Sequence, residues 1–429
     1  MTGLQTDEQL RTVADANAGT VDEDAALWFS ANAQIIRSLT EVVDFSDLRF
    51  LEGVLASKRI VALGESSHGV REYSQAKLRL IRYLHEELGY NVLAFESGIF
   101  DCEEAQRLLA TSSARRALNA CLFGVWQTQT VLELFEYVQS TQSTDSPLRI
   151  TGFDTQISGA AFESRAPWTA SLVRAASTSY AEEVLALEER YYELALDVLQ
   201  AESSNDPALS RVNAEREGLS SRYLVLADYL EANIESITAG SGASREDVLI
   251  ASQYARSSPR YLEQLGQRFT RQGGSLTRDR GMAENLIALA QNIYPEDKII
   301  VWAHNAHLRH DGAGFLPGAN MGSFVHEELA EQLYTIGFYM YRGSHAFNNR
   351  AISPVQPPLD LSLEATFYQR RLAWLFVDLE GANEADPGAD WLARTISTWT
   401  WGSSEVGLIL RDEYSGLFVI DSVSPPAYL

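Results

Sequence analysis

Short apolar runs alternate along this chain with longer stretches in which apolar positions recur every three or four residues. Arg59-Ile60-Val61-Ala62-Leu63 reads as a strand, because a continuous apolar run of this length fits a sheet covered on both faces. Between Glu72 and Leu88 the residues Leu78, Ile81, Leu84, His85 and Leu88 fall at helical spacing, and Gly89 follows as a stop. Asn91-Val92-Leu93-Ala94-Phe95 is a second run. Strand, helix and strand at this separation make a βαβ unit, so the two strands are expected to be parallel neighbours. Leu148-Arg149-Ile150-Thr151-Gly152-Phe153 supplies a third strand after a helical stretch from Val131 to Ser140. Further runs at 298–302, 334–338, 372–377 and 416–420 continue the pattern. Leu27, Ile35, Ile36 and Leu39 predict a leading helix in the first 45 residues or so.

Between about 158 and 272 the strand signal lapses and helical spacing takes over, broken near Ser203–Pro207 and Ala239–Gly242. The pattern predicts an α/β fold with a mostly parallel central sheet flanked by helices. A helical insertion, in the position of a lid, separates the third and fourth core strands. The expected divisions are 1–157 and 273–429 for the two parts of the core and 158–272 for the insertion.

Composition narrows the partners. With 429 residues, 34 Lys+Arg and 58 Asp+Glu, the formal charge is −24, which repels nucleic-acid phosphates and anionic lipid at long range. The N-terminus lacks a secretory signal pattern, and no apolar run approaches the length needed to span a bilayer. Only Cys102 and Cys121 occur. They cannot build a disulfide framework or a four-thiolate zinc site, so a reducing, cytoplasmic setting is expected. No nucleotide-binding glycine motif is present, and no cofactor is expected.

Candidate chemistry collects where predicted strands end. Leu63 leads to Glu65 and His68, Phe95 to Glu96, Phe153 to Asp154, and Trp302 to His304 and His307. In a parallel sheet, ligands bind at the carboxyl ends of the strands, where the connecting loops converge. In Gly64-Glu65-Ser66-Ser67-His68-Gly69 a carboxylate and an imidazole lie within one turn, which suits a general base. On the hexapeptide alone, Glu65 as a helix cap and His68 as an ordinary turn residue serve equally well. Glu96 is either a capping acid or a second carboxylate that orients His68 or handles a proton. Three histidines in Trp302–His310 also suit a zinc site together with Glu65 and His68, although a strand end does not fix their facing. His310 beside Asp311 is expected to be solvated, and His85, His326 and His345 are expected in packing or solvent roles. The Gly64–His68 segment departs from the G-x-S-x-G nucleophile elbow at its fifth position.

These segments, with Gly152-Phe153-Asp154, Arg278–Asn285, Trp302–His307 and Met321-Gly322, together resemble the erythromycin esterase family in residues and order, from about 50 to 345. The resemblance implies metal-free hydrolysis of a macrocyclic lactone in a deep cleft covered by helices. His68 would be the base, and Glu65 and Glu96 would orient it and its water. His304, with His307 beside it, would bind or polarise the carbonyl. The family's basic residue on the following helix falls near Lys77, with Arg71 and Arg79 as neighbours. Asp154 and Trp126 are further expected contacts, Trp126 with Trp302 as candidate apolar lining; Trp126-Gln127 stands where the family often has Trp-Arg. The implied partner is a small-molecule lactone or ester, of a macrolide or a related polyketide. Alternatives are a biosynthetic tailoring enzyme acting on another lactone or by a non-hydrolytic acyl or elimination step, a metal-dependent hydrolase using the same histidines, and a non-catalytic small-molecule binder.

Overall fold

The structure is a computed structural model that describes residues 20–270, 274–311, 320–368, 373–383 and 385–429. The expectations placed on residues 1–19, on the 272/273 boundary and on much of the loop after His307 lie outside the described residues. The strands in chain order are β1 (Gln34–Ile35), β2 (Ile60–Leu63), β3 (Val92–Gly98), β4 (Arg149–Asp154), β5 (Ile299–Trp302), β6 (Leu333–Ala346), β7 (Ile352–Pro354), β8 (Trp374–Asp378), β9 (Ile396–Thr400), β10 (Ser404–Leu408) and β11 (Gly416–Val423).

The chain packs as two units. The first is drawn from 1–91, 124–137 and 298–429, the second from 92–123 and 138–297. In the first unit the strand order is β1-β8-β11-β6-β2-β5. β2 runs parallel to both β5 and β6, and β11 runs parallel to β6. β8 is antiparallel to β11, and β1 to β8. Every residue of β2 and β5 is buried, as unbroken apolar runs require when helices cover both faces. The expected neighbour of β2 is corrected here. Both edges of β2 are taken by β5 and β6, strands from the far end of the chain, and β3 pairs with β4 in the second unit.

Helix Arg71–Leu88 buries Tyr73, Ala76, Leu80, Ile81 and Leu84. The leading helix stops at Asn32 and gives way to β1, and it buries Ala25, Ala26, Trp28 and Phe29. Leu27 and Ile35, two of the positions that suggested it, are exposed. Their spacing was a coincidence across two elements.

The second unit holds β3 and β4 together with a helical run of Phe162–Arg174, Thr178–Gln200, Pro207–Ala232, Ile234–Ser241 and Arg245–Gly266. The break read near Ser203–Pro207 is real, Asp206 capping the helix that opens at Pro207, whereas the one read at Ala239–Gly242 narrows to Gly242, which ends helix Ile234–Ser241 before the Ser244–Asp247 capping box of Arg245–Gly266. Arg165 and Glu188 form a buried pair inside this run, Nε to Oε2 at 2.8 Å, with Arg165 stacked over Tyr191 and Tyr254. Among the described residues no helix is long and apolar enough to cross a membrane. Cys102 and Cys121, on helices Ile99–Thr111 and Ala114–Cys121 that pack side by side, are joined in a single disulfide with Cα atoms 4.2 Å apart.

Candidate active site

β2 and β5 are parallel neighbours in register Leu63↔Trp302, so the segments that follow them emerge together. The two are then stitched across. Asn305 N donates to Glu65 O, Asn305 Nδ2 donates to Phe338 O, and Gly64 N donates to Ile336 O. A Cβ on Gly64 would collide with the Asn305 amide and with Ile336 O. That collision is the physical reason for a glycine at the start of the motif.

Glu65 is the hub. Its Oε1 lies 2.6 Å from His68 Nδ1 and 2.9 Å from Trp126 Nε1, and its Oε2 lies 2.7 Å from Lys77 Nζ. Lysine and tryptophan can only donate, so the carboxyl serves as an acceptor on both oxygens. The proton shared with His68 therefore sits on Nδ1, and the lone pair of that imidazole is on Nε2. The Glu65 and Lys77 side chains are 2% and 0% exposed, and that of His68 is 9% exposed. Lys77 was expected to bind substrate, and this is corrected. Its ammonium is buried against Glu65 and lies 4.2 Å from the Trp302 ring, which leaves it no exposed surface to offer a substrate. Of the two neighbouring candidates on this helix, Arg71 is half-exposed and pairs with Glu72, and Arg79 is buried against Asp47.

His304 caps the short helix Asn305–Leu308, accepting Ala306 N–H on Nδ1 at 3.1 Å. An accepting Nδ1 puts the proton of the neutral ring on Nε2. The His304 and His68 rings stand 5.0 Å apart at 64°, with opposite tautomers. His307 follows on the same helix, its ring 6.5 Å from that of His304. Trp126 meets the His68 ring edge-on at 4.7 Å.

Glu96 and Asp154, at the ends of β3 and β4, converge in the second unit on a residue to which sequence reasoning gave no role. Arg278 Nη2 donates to Glu96 Oε1 at 2.8 Å and to Asp154 Oδ2 at 2.6 Å. Those two acidic neighbours raise the guanidinium pKa against the cost of its burial, which is the largest single influence on it. The Arg278–Asn285 motif was visible as a string, but nothing local indicated which acids it would meet.

Two residues of the first unit were also missed. Trp401 stacks on His304 at 4.7 Å and 16° and meets His68 edge-on at 5.0 Å. His345, expected to be unremarkable, is fully buried with Nδ1 3.0 Å from Ser67 Oγ, and burial pushes its pKa down. His310 is only partly exposed: it stacks on His326 at 4.2 Å, its Nε2 lies 2.8 Å from Thr335 Oγ1, and burial pushes its pKa down to about 3. Among the described residues no group of three or more His, Cys, Asp or Glu side chains is arranged to hold a metal ion.

The chain is 31% identical to YbfO of Bacillus subtilis (strain 168) over 434 residues, covering 96% of this chain and 94% of that one. It is 21% identical to an Escherichia coli erythromycin esterase type II over 71% of this chain and 74% of the relative. A crystal structure of a Bacillus cereus protein superimposes with a TM-score of 0.79 at 21% identity, over 95% of this chain and 99% of the other. The family model for erythromycin esterase matches residues 85–423. On this match and the similarity to YbfO, the chain belongs to the erythromycin esterase family of hydrolases.

Proposed function

We propose that the protein opens a lactone or carboxylic ester of a macrolide or related polyketide with water activated by His68, without a metal. The observation that carries this reading is the hydrogen bonding of two neighbouring imidazoles, one Nδ1 against a carboxylate and the other Nδ1 accepting a backbone N–H, which assigns them opposite tautomers. His68, with its proton held on Nδ1 by Glu65, offers Nε2 as the base. His304, with Nδ1 filled by Ala306 N–H, has its proton on Nε2 for donation to the carbonyl oxygen.

In the first step His68 Nε2 takes a proton from water as its oxygen forms a bond to the ester carbon, and the carbonyl oxygen becomes an oxyanion facing the His304 donor. Collapse breaks the bond to the alkoxy oxygen, and the imidazolium of His68 returns the proton to that leaving group. A positioned base of this kind contributes ~10²–10⁴-fold, and a donor aimed at the oxyanion adds roughly 10²–10³-fold. Lys77 and Trp126 hold Glu65, which keeps the His68 tautomer fixed as its charge changes. His307, beside His304, is assigned to substrate binding, and Glu96 and Asp154 to holding Arg278 in place.

The test is to incubate chelator-treated protein with a panel of macrolactones and smaller lactones. Mass spectrometry would then look for the gain of one water. Ring opening by metal-stripped protein is expected; activity that disappears with the metal and returns on adding it back would replace this reading with metal-dependent hydrolysis.

A further inference from the structure

β9 and β10 form a two-stranded antiparallel hairpin paired only with itself among the described residues, with Thr400 opposite Ser404. Its tip is unusual. Trp401 and Gly402 both have positive φ, 53° and 62°, and Ser403 N donates to Thr400 O. Two positive φ values in succession across a turn closed by that hydrogen bond are normally given to residues such as Asn-Gly, and a bulky aromatic at the first position is strained. Strain of this kind persists only where the surroundings impose it.

The surroundings here are the catalytic loop. Trp401 N donates to Ser66 O at 2.8 Å, two residues before His68, and Gln356 N donates to Gly402 O at 2.8 Å. His345, held by Ser67 Oγ, underlies the turn, and a Cβ on Gly402 would stand 2.8 Å from its Nε2. The strained backbone turns the indole flat against His304 and edge-on to His68.

We propose that Trp401 is a positioning residue that fixes the ring plane of His304, and that the 396–408 hairpin is thereby part of the active site. The Ala306 N–H bond holds one edge of that imidazole, and rotation about the side chain's last bond would break it. Stacking against a rigid indole opposes the rotation, so the Nε2 proton stays directed. Trp401 and Trp126 also both meet the His68 ring edge-on, at 5.0 Å and 4.7 Å.

This proposal rests on the hydrolytic reading above for its activity measurement, but not for its spectroscopic one. Protein labelled at the histidine ring nitrogens is compared by NMR as wild type, Trp401→Leu, Trp401→Phe and Gly402→Ala. The wild type is expected to show His304 as a single tautomer protonated on Nε2. Trp401→Leu averages the two ring nitrogens, Trp401→Phe restores the single tautomer, and His68 is unchanged in both. Gly402→Ala, which keeps every reactive side chain but displaces the tip, reproduces Trp401→Leu and replaces it if that variant does not fold. Hydrolysis of p-nitrophenyl acetate, corrected with His68→Ala protein, is expected to lose roughly ten- to hundredfold in kcat in Trp401→Leu, with little change in KM. A single Nε2-protonated His304 in folded Trp401→Leu, or in Gly402→Ala if that variant stands in for it, overturns the proposal. If His68→Ala matches wild type on the ester, the hydrolytic reading fails instead, and the tautomer result alone decides the role of Trp401.

Discussion

Replacing Glu65 by Gln changes one oxygen to an amide nitrogen and nothing else in shape, yet the three donors around it leave no harmless orientation. If the amide oxygen keeps the Oε1 place, facing His68 Nδ1 and Trp126 Nε1, the new NH₂ points at Lys77 Nζ across a 2.7 Å gap. A fully buried ammonium then loses its carboxylate, which costs about 3–5 kcal/mol. The Trp302 face 4.2 Å away offsets only ~1–2 kcal/mol of such a loss. If the amide flips, NH₂ faces His68 Nδ1, the imidazole must accept there, and its proton moves to Nε2. The base is then lost and turnover falls ~10²–10⁴-fold. Glu65→Gln is therefore expected to lose stability, activity or both. Adding Lys77→Met separates the two, because it removes the buried ammonium and leaves unopposed the orientation in which the amide oxygen faces His68 Nδ1 and Trp126 Nε1. The double variant should therefore recover most of the unfolding free energy in urea titrations and part of the ester hydrolysis, a coupling that the double-mutant cycle isolates. Wild-type stability and turnover in Glu65→Gln, or a double variant that recovers neither, would refute the assignment of Glu65 as hub.

Other consequences follow from groups outside the reaction. Glu364 is fully buried in the first unit, accepts from Thr398 Oγ1 and Trp399 N, and has its pKa raised by burial from 4.5 to about 7. A carboxyl with a raised folded-state pKa stabilises below its unfolded value and loses that contribution as pH rises through the folded one. The first unit should thus lose on the order of 3 kcal/mol between about pH 4.5 and 8 from this group. Glu364→Gln should flatten that slope in urea unfolding across the same range, and an unchanged slope would count against it. In the second unit the Cys102–Cys121 disulfide spans 19 positions of sequence. Reduction, or a Cys102→Ser/Cys121→Ser variant, should lower stability by about 3 kcal/mol in the chain-entropy account; unfolding that is indifferent to reductant would argue that the bond does not form.

Much of this architecture is legible in the sequence because burial on two faces forces apolar runs. β2, β3, β4, β5 and β11 all fall on runs that could be read directly. The Gly64–His68 motif and His304 were legible for a related reason, since strand ends that terminate abruptly in ionisable residues advertise a crevice. Local pattern, however, encodes which face is covered and not by what. β2 therefore gave no sign that β5 and β6, rather than β3, would flank it. Lys77 occupies a helical position like its neighbours, and only the tertiary structure shows its ammonium turned inward to Glu65. Arg278 meets acids more than a hundred positions earlier in the chain. The hardest residue to foresee was Trp401, because its backbone conformation contradicts the preference of its side chain. Where a local rule is broken, the cause lies in distant contacts, here those of Ser66, His304 and His345.

The most direct test compares wild type with His68→Ala on the first panel lactone that chelator-treated wild type opens, with the initial rate of water addition followed by mass spectrometry. His68 is mostly buried but contributes a polar ring rather than core packing, so the variant should keep its fold by circular dichroism and lose ~10²–10⁴-fold in rate. A folded His68→Ala protein that opens the ring at the wild-type rate would contradict the account.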